Sequence, residues 1–203
     1  MGREVSQYPT TEEFEAILRR GNLLQVVEDF VFEGVPYVFS GREADYQLLR
    51  RHISAGLGVG VEDLTLVGSG RIGFSLSPDT FGRPFSESSD LDVVVVSAPL
   101  FDVAWLELLR ARPRYQTLTP RVQQWYDDHR NHVYYGRIWP AKLAGVIKLS
   151  RRWFGVFKSL SQYPELADRE VHGLLYRTWD HARLYHQYGL SRILRVIRQR
   201  GET

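Results

Sequence analysis

The chain has 203 residues, of which 43% are hydrophobic and 13% aromatic, and carries a net charge of +2. That is enough apolar side chain for one domain with a sizeable core, and too little charge to announce a nucleic-acid protein. The absence of cysteine excludes disulfides and thiolate metal sites, so any metal must sit on oxygen or imidazole, and it favours an intracellular setting.

No stretch approaches the roughly 18 uncharged residues of a membrane span, and no apolar run follows the first basic residues, so the sequence reads as soluble and cytoplasmic. MGREVS at 1–6 fits the loose pattern for N-terminal myristoylation, a short motif that matters only in a eukaryotic cell. Thr10-Thr11-Glu12-Glu13 spells a capping box opening a helix that ends at Gly21, and Leu23 to Phe32 continues with helical apolar spacing. Ser40 with Glu43 repeats the capping pattern and predicts a third helix over 43–55, stopped by Gly56. Residues 1–60 thus form a helical N-terminal part.

The segment 61–110 is read as the turn-and-carboxylate core. Leu64–Val67 is a short buried strand, Phe74–Ser77 a candidate second one, and Leu91–Val96 the clearest strand in the chain, apolar on both faces and so expected mid-sheet. Pro99 opens a helix through Leu109. In 111–203, a proline-rich connection reaches Pro120, a long helix is predicted from Pro140 to about Leu160, Val171–Arg177 is one further strand, and Thr178 caps a last helix interrupted near Gly189. The fold class expected is α/β (α+β): a mixed sheet flanked by helices, with N- and C-terminal helical additions, in a single domain.

Chemistry concentrates in two neighbouring motifs. Leu66-Val67-Gly68-Ser69-Gly70-Arg71-Ile72-Gly73 ends a strand in a glycine-rich turn, where backbone N–H groups converge on an anion. Ser89-Asp90-Leu91-Asp92 opens the valine strand, and two carboxylates spaced by one residue project from the same face. Oxygen ligation of that kind suits Mg²⁺, and two such ions can clamp both oxygens of a phosphoryl displacement. Gly68, Gly70 and Gly73 also spell the dinucleotide-binding fingerprint, but that motif needs a helix starting in the turn and an acid after the next strand. Here the turn runs into Phe74-Ser75-Leu76-Ser77-Pro78, and the acids precede the strand.

Gly68-Ser69 after an apolar strand, followed by Asp90-Leu91-Asp92, resembles the signature of the DNA polymerase β-like nucleotidyltransferase superfamily, and the wider phrase resembles bacterial predicted nucleotidyltransferases. The resemblance covers about thirty residues. It implies that Gly68 and Ser69 bind the triphosphate of a nucleoside triphosphate and that Asp90 and Asp92 hold two Mg²⁺ ions. The activity implied is transfer of a nucleoside monophosphate to an acceptor, with RNA and protein among the candidates, and a protein partner or a homo-oligomer is compatible with so short a chain. Active members carry a third carboxylate on a later strand; Glu170, with Asp168 behind it, is the nearest candidate, and Asp180 falls past the strand. If no third acid reaches the site, the reading becomes an inactive nucleotide- or RNA-binding module of the same fold. The interval from Gly70 to Ser89 is longer than usual and implies an inserted hairpin or loop, which costs little.

Arg71 within the turn is expected either to brace a phosphate or to pair with a carboxylate such as Asp90. Lys142 and Lys148, on the predicted long helix, match helical-subdomain lysines that reach the triphosphate in similar enzymes, or are simply solvated. They belong to a basic run from Arg137 to Lys158 that has no acidic residue and fits an anionic partner or a solvated face. His129 and His132 have a spacing that suits zinc on a helix but lack a further ligand pair, so loop or surface positions are expected. Trp139, Trp153, Phe154 and Phe157 are expected in the core, with one exposed ring free to stack on a base.

Overall fold

A computed structural model describes residues 7–163, 166 and 169–200; the MGREVS motif and Asp168 lie outside them. The fold is α+β: a four-stranded mixed sheet with helices on both faces. The strands are β1 (Leu64–Val67), β2 (Leu91–Val96), β3 (Arg137–Ile138) and β4 (Val171–Tyr176), in the order β1-β2-β4-β3. β1 and β2 are antiparallel, β2 and β4 parallel, and β3 and β4 antiparallel. β2 is therefore internal, as its uninterrupted valines require.

The helices are α1 (Thr11–Arg20), α2 (Leu23–Val26), α3 (Glu43–Leu57), α4 (Ser69–Ile72), α5 (Ala98–Ala111), α6 (Pro120–Tyr134), α7 (Leu149–Ser159) and α8 (Trp179–Arg200). α1 starts at the expected capping box, Thr10 Oγ1 accepting from Glu13 N–H and the Glu13 carboxylate from Thr10 N–H. α2 passes into a π-helical segment over Val27–Phe32. α3 departs from expectation: Arg42, not Ser40, precedes it, and it runs past Gly56 to Leu57 because the left-handed residue that ends it is Gly58, at φ +68°.

Each face of the sheet has its own core. Leu64, Leu66, Leu91, Val93, Val95 and Leu175 pack against α3, α5 and α7. Val67, Val94, Val96 and Tyr176 pack against α1, the π-helical segment and α8. Each fully buried aliphatic or aromatic side chain contributes about 1.5–3 kcal/mol of transfer free energy, so two such layers dominate the stability. α7 reaches its face because β4 has Gly173, where an added Cβ would stand 2.3 Å from Phe157 Cζ and 2.7 Å from Trp153 Cζ2.

The structure corrects other expectations. Phe74–Ser77 forms no strand; Phe74 makes a single bridge to Pro84, and Phe85 N–H donates to the Gly73 carbonyl at 2.9 Å, which closes the inserted loop as a narrow hairpin-like excursion. The long helix from Pro140 is instead a 3₁₀ turn, Pro140–Leu143, and then α7, because Gly145 at φ +78° turns the chain between them. α6 and β3 were not anticipated. α8 runs unbroken through Gly189: a mid-helix glycine costs only about 1 kcal/mol, and Leu190, Ile193 and Ile197 are buried beyond it. No described helix is long and apolar enough to cross a membrane.

Candidate phosphate and metal site

Register brings the site together. β2 and β4 run parallel with Leu91 opposite Val171 and Asp92 opposite His172, so alternation sets Asp90, Asp92, Glu170 and His172 on one face at the N-terminal ends of two adjacent strands. His172 Nε2 lies 3.7 Å from Asp90 Oδ2 and 3.3 Å from Glu170 Oε2. Asp90, Glu170 and His172 each offer a ligand atom, and those atoms lie within 4.8 Å of one another.

Asp92 stands apart from that trio. β1 ends with Val67 opposite Asp92, and the chain then turns at Gly68, at φ +72°. A Cβ at Gly68 would lie 3.1 Å from Asp92 Oδ2, so glycine serves both the backbone angle and the approach of the carboxylate. Burial pushes the Asp92 carboxyl above the usual range; the neighbouring His172 opposes this shift and Asp90 adds to it. Ser69 follows as the first residue of α4, which lasts one turn and closes at Gly73, at φ +97°. A helix does begin inside the glycine turn, contrary to expectation, but the antiparallel pairing of β1 and β2 excludes the parallel βαβ unit of the dinucleotide-binding fold.

Arg169, which no sequence motif marks, locks the acids into register. Its Nη1 donates to the carbonyls of Ser86 and Ser89, at 2.7 and 3.0 Å, and its guanidinium lies over the Phe85 ring. The inserted loop that delivers Asp90 is thereby tied to the residue before Glu170. His172 was also missed, although its position two residues after Glu170 on a predicted strand places both on one face.

Trp139 is the site's aromatic wall, its ring centroid 6.3 Å from that of His172, and Lys142 Nζ lies 3.7 Å from the Trp139 centroid. Lys142 therefore stands beside the cluster, on the 3₁₀ turn instead of a long helix. His129 fixes Trp139: its Nε2 accepts the Trp139 backbone N–H at 3.0 Å while Nδ1 donates to the Trp125 carbonyl at 2.5 Å. With both nitrogens committed and 1% exposure, His129 is a buried structural residue on α6 and no zinc ligand. His132 is partly buried, its Nδ1 without a hydrogen-bond partner, and desolvation together with nearby Arg137 lowers its pKa to about 4.

Two expected phosphate contacts lie elsewhere. The Arg71 side chain is 1% exposed and turns inward, Nη1 donating to the Val35 carbonyl at 2.8 Å. That carbonyl also accepts from Gln7 Nε2 and Tyr8 Oη, so Arg71 pins the N-terminal segment to α4, pairs with no carboxylate among the described residues, and has a pKa lowered by burial. Lys148 sits at the start of α7 in a separate cleft, its backbone N–H donating to Glu107 Oε2 at 2.7 Å. Asp180 pairs with Arg183 at 3.1 Å.

Comparison with protein-family models, with curated proteins and with solved structures finds no match to this chain.

Proposed function

We propose that the chain is an Mg²⁺-dependent nucleotidyltransferase that moves a nucleoside monophosphate from a nucleoside triphosphate to an acceptor hydroxyl or phosphate, on RNA or on protein, in the cytoplasm. The observation that carries this reading is the register setting Asp90 and Asp92 against Glu170 and His172, beside the Gly68-Ser69 turn. The carboxylate oxygens of Asp90, Asp92 and Glu170 fit a hard cation, and the His172 imidazole adds a nitrogen donor that Mn²⁺ accepts more readily than Mg²⁺. Two Mg²⁺ ions held there would neutralise charge on the triphosphate and polarise the acceptor oxygen.

The protein's own part is positioning. Gly68 and Ser69 take the terminal phosphates at the turn after β1, while Lys142 stands beyond β4 beside Trp139. Trp139, fixed by His129, walls the site. Glu170, the most open of the acids with 78% side-chain exposure, takes the acceptor proton as a bond forms to the α-phosphorus and the bond to the departing pyrophosphate breaks.

The test is pyrophosphate release from Mg²⁺ and a panel of nucleoside triphosphates with RNA and protein acceptors. Release with labelled acceptor upholds the reading, whereas tight binding that leaves every triphosphate intact overturns it. The second reading, an inactive nucleotide- or RNA-binding module, draws on one observation: the β4 residue in register with Asp92 is His172 and not a carboxylate.

A further inference from the structure

A cleft of about 860 Å³ opens between the C-terminal end of α5, the turn after Pro140 and the first turns of α7. Arg110, near the end of α5, and Arg114, in the 3₁₀ segment that follows it, line the cleft together with Lys148 and Arg151 at the start of α7. None of these four cations makes an ion pair among the described residues. The one carboxylate in the lining, Glu107, accepts the Lys148 backbone N–H. Phe154, at the edge of the cleft, is 60% exposed although a phenyl ring gains most from burial.

We infer that this cleft binds the phosphodiester backbone of a single-stranded nucleic acid, with a base stacked on Phe154. Four cations spread over separate elements around an open cleft match a chain of spaced phosphates, whereas a lone phosphate calls for donors converging on one point. The cleft also adjoins the carboxylate site, since Ala141 and Ala144 line it while Lys142, between them in the chain, faces Trp139. The inference uses none of the residues assigned to metal or triphosphate except Lys148, which the structure moves into the cleft, so it stands or falls apart from the transferase reading.

The experiment is fluorescence anisotropy of a labelled U₁₂ strand in EDTA, with no divalent metal, across a salt series. Neutralising four phosphates gives a log–log salt slope of about −3. Lys148→Gln with Arg151→Gln should weaken binding at least tenfold and halve that slope, and Phe154→Ser should weaken it about tenfold with the slope unchanged. All three side chains are exposed, and an unchanged circular dichroism spectrum verifies folding. Tighter binding of U₁₂ than of dT₁₂ assigns RNA; equal binding assigns the backbone alone, and either upholds the inference. Absence of binding at low salt, equal binding by the variants, or equally strong competition by poly-glutamate would overturn it.

Discussion

The carboxylate corner and the cationic cleft are built in opposite ways from neighbouring stretches of chain. The corner depends on strand register: Asp90, Glu170 and His172 meet, with Asp92 on the same face, because two parallel strands start level, and Arg169 ties down the loop between them. The cleft depends on cations that make no ion pair among the described residues and that come from the ends of separate elements. A site made by register should fail sharply on single changes, whereas one made by summed charge should fade in steps.

Asp92→Ala gives the largest expected effect. It should lower transferase turnover by about 10²–10³-fold or more and abolish Mg²⁺-dependent triphosphate binding in calorimetry, while U₁₂ binding in EDTA stays as in the parent. Unchanged triphosphate binding would remove Asp92 from the site. Next comes the division between Glu170 and His172. Glu170→Gln should cost about 100-fold in turnover as loss of a proton acceptor, and His172→Gln less than tenfold; the reverse order would make the imidazole the base.

Gly68→Ala should act on stability as well as activity. A non-glycine residue at φ +72° and ψ −152° costs roughly 1–3 kcal/mol, so Tm should fall by about 2–12 °C, and crowding of the Asp92 carboxylate should lower nucleotide affinity without touching the cleft. The smallest effect is a control outside both regions. His186, partly buried between Phe32 and Tyr176 with Arg137 and Tyr185 nearby, has its pKa lowered to about 4, mainly by desolvation. The unfolded chain therefore takes up this proton first as pH falls. Stability is fully present above pH 6.5 and is lost progressively as pH drops toward 4. His186→Phe should stabilise the protein at pH 5 by on the order of 1 kcal/mol relative to pH 8, and thermal melts at the two pH values check it.

Local chemistry was legible in the sequence and long-range geometry was not. Thr10 and Glu13 announced α1, the valines announced an internal β2, and Gly68 and Asp92 announced a turn and an acid that do meet. α6 gave no signal beyond Pro120 at its first position, because it buries only Tyr126 and His129 and so has no apolar stripe to read. The two residues of β3 are too few for any periodicity. Arg71 reads like a phosphate ligand by its place in the motif, yet the carbonyl that takes it is far upstream at Val35. The partner of Asp92 on β4 follows from how two strands eighty residues apart align, and spacing along one chain carries no such information.

Gly173 joins the two regions mechanically. It lies on β4 next to His172, and the rings of Trp153 and Phe157 bear directly on its backbone from α7, the helix whose first turn lines the cleft. The helix thus works as a lever with its fulcrum one residue from the face that carries Asp92 and His172. Gly173→Ala would lift that lever, and it is the substitution for which the corner and the cleft cannot be damaged separately.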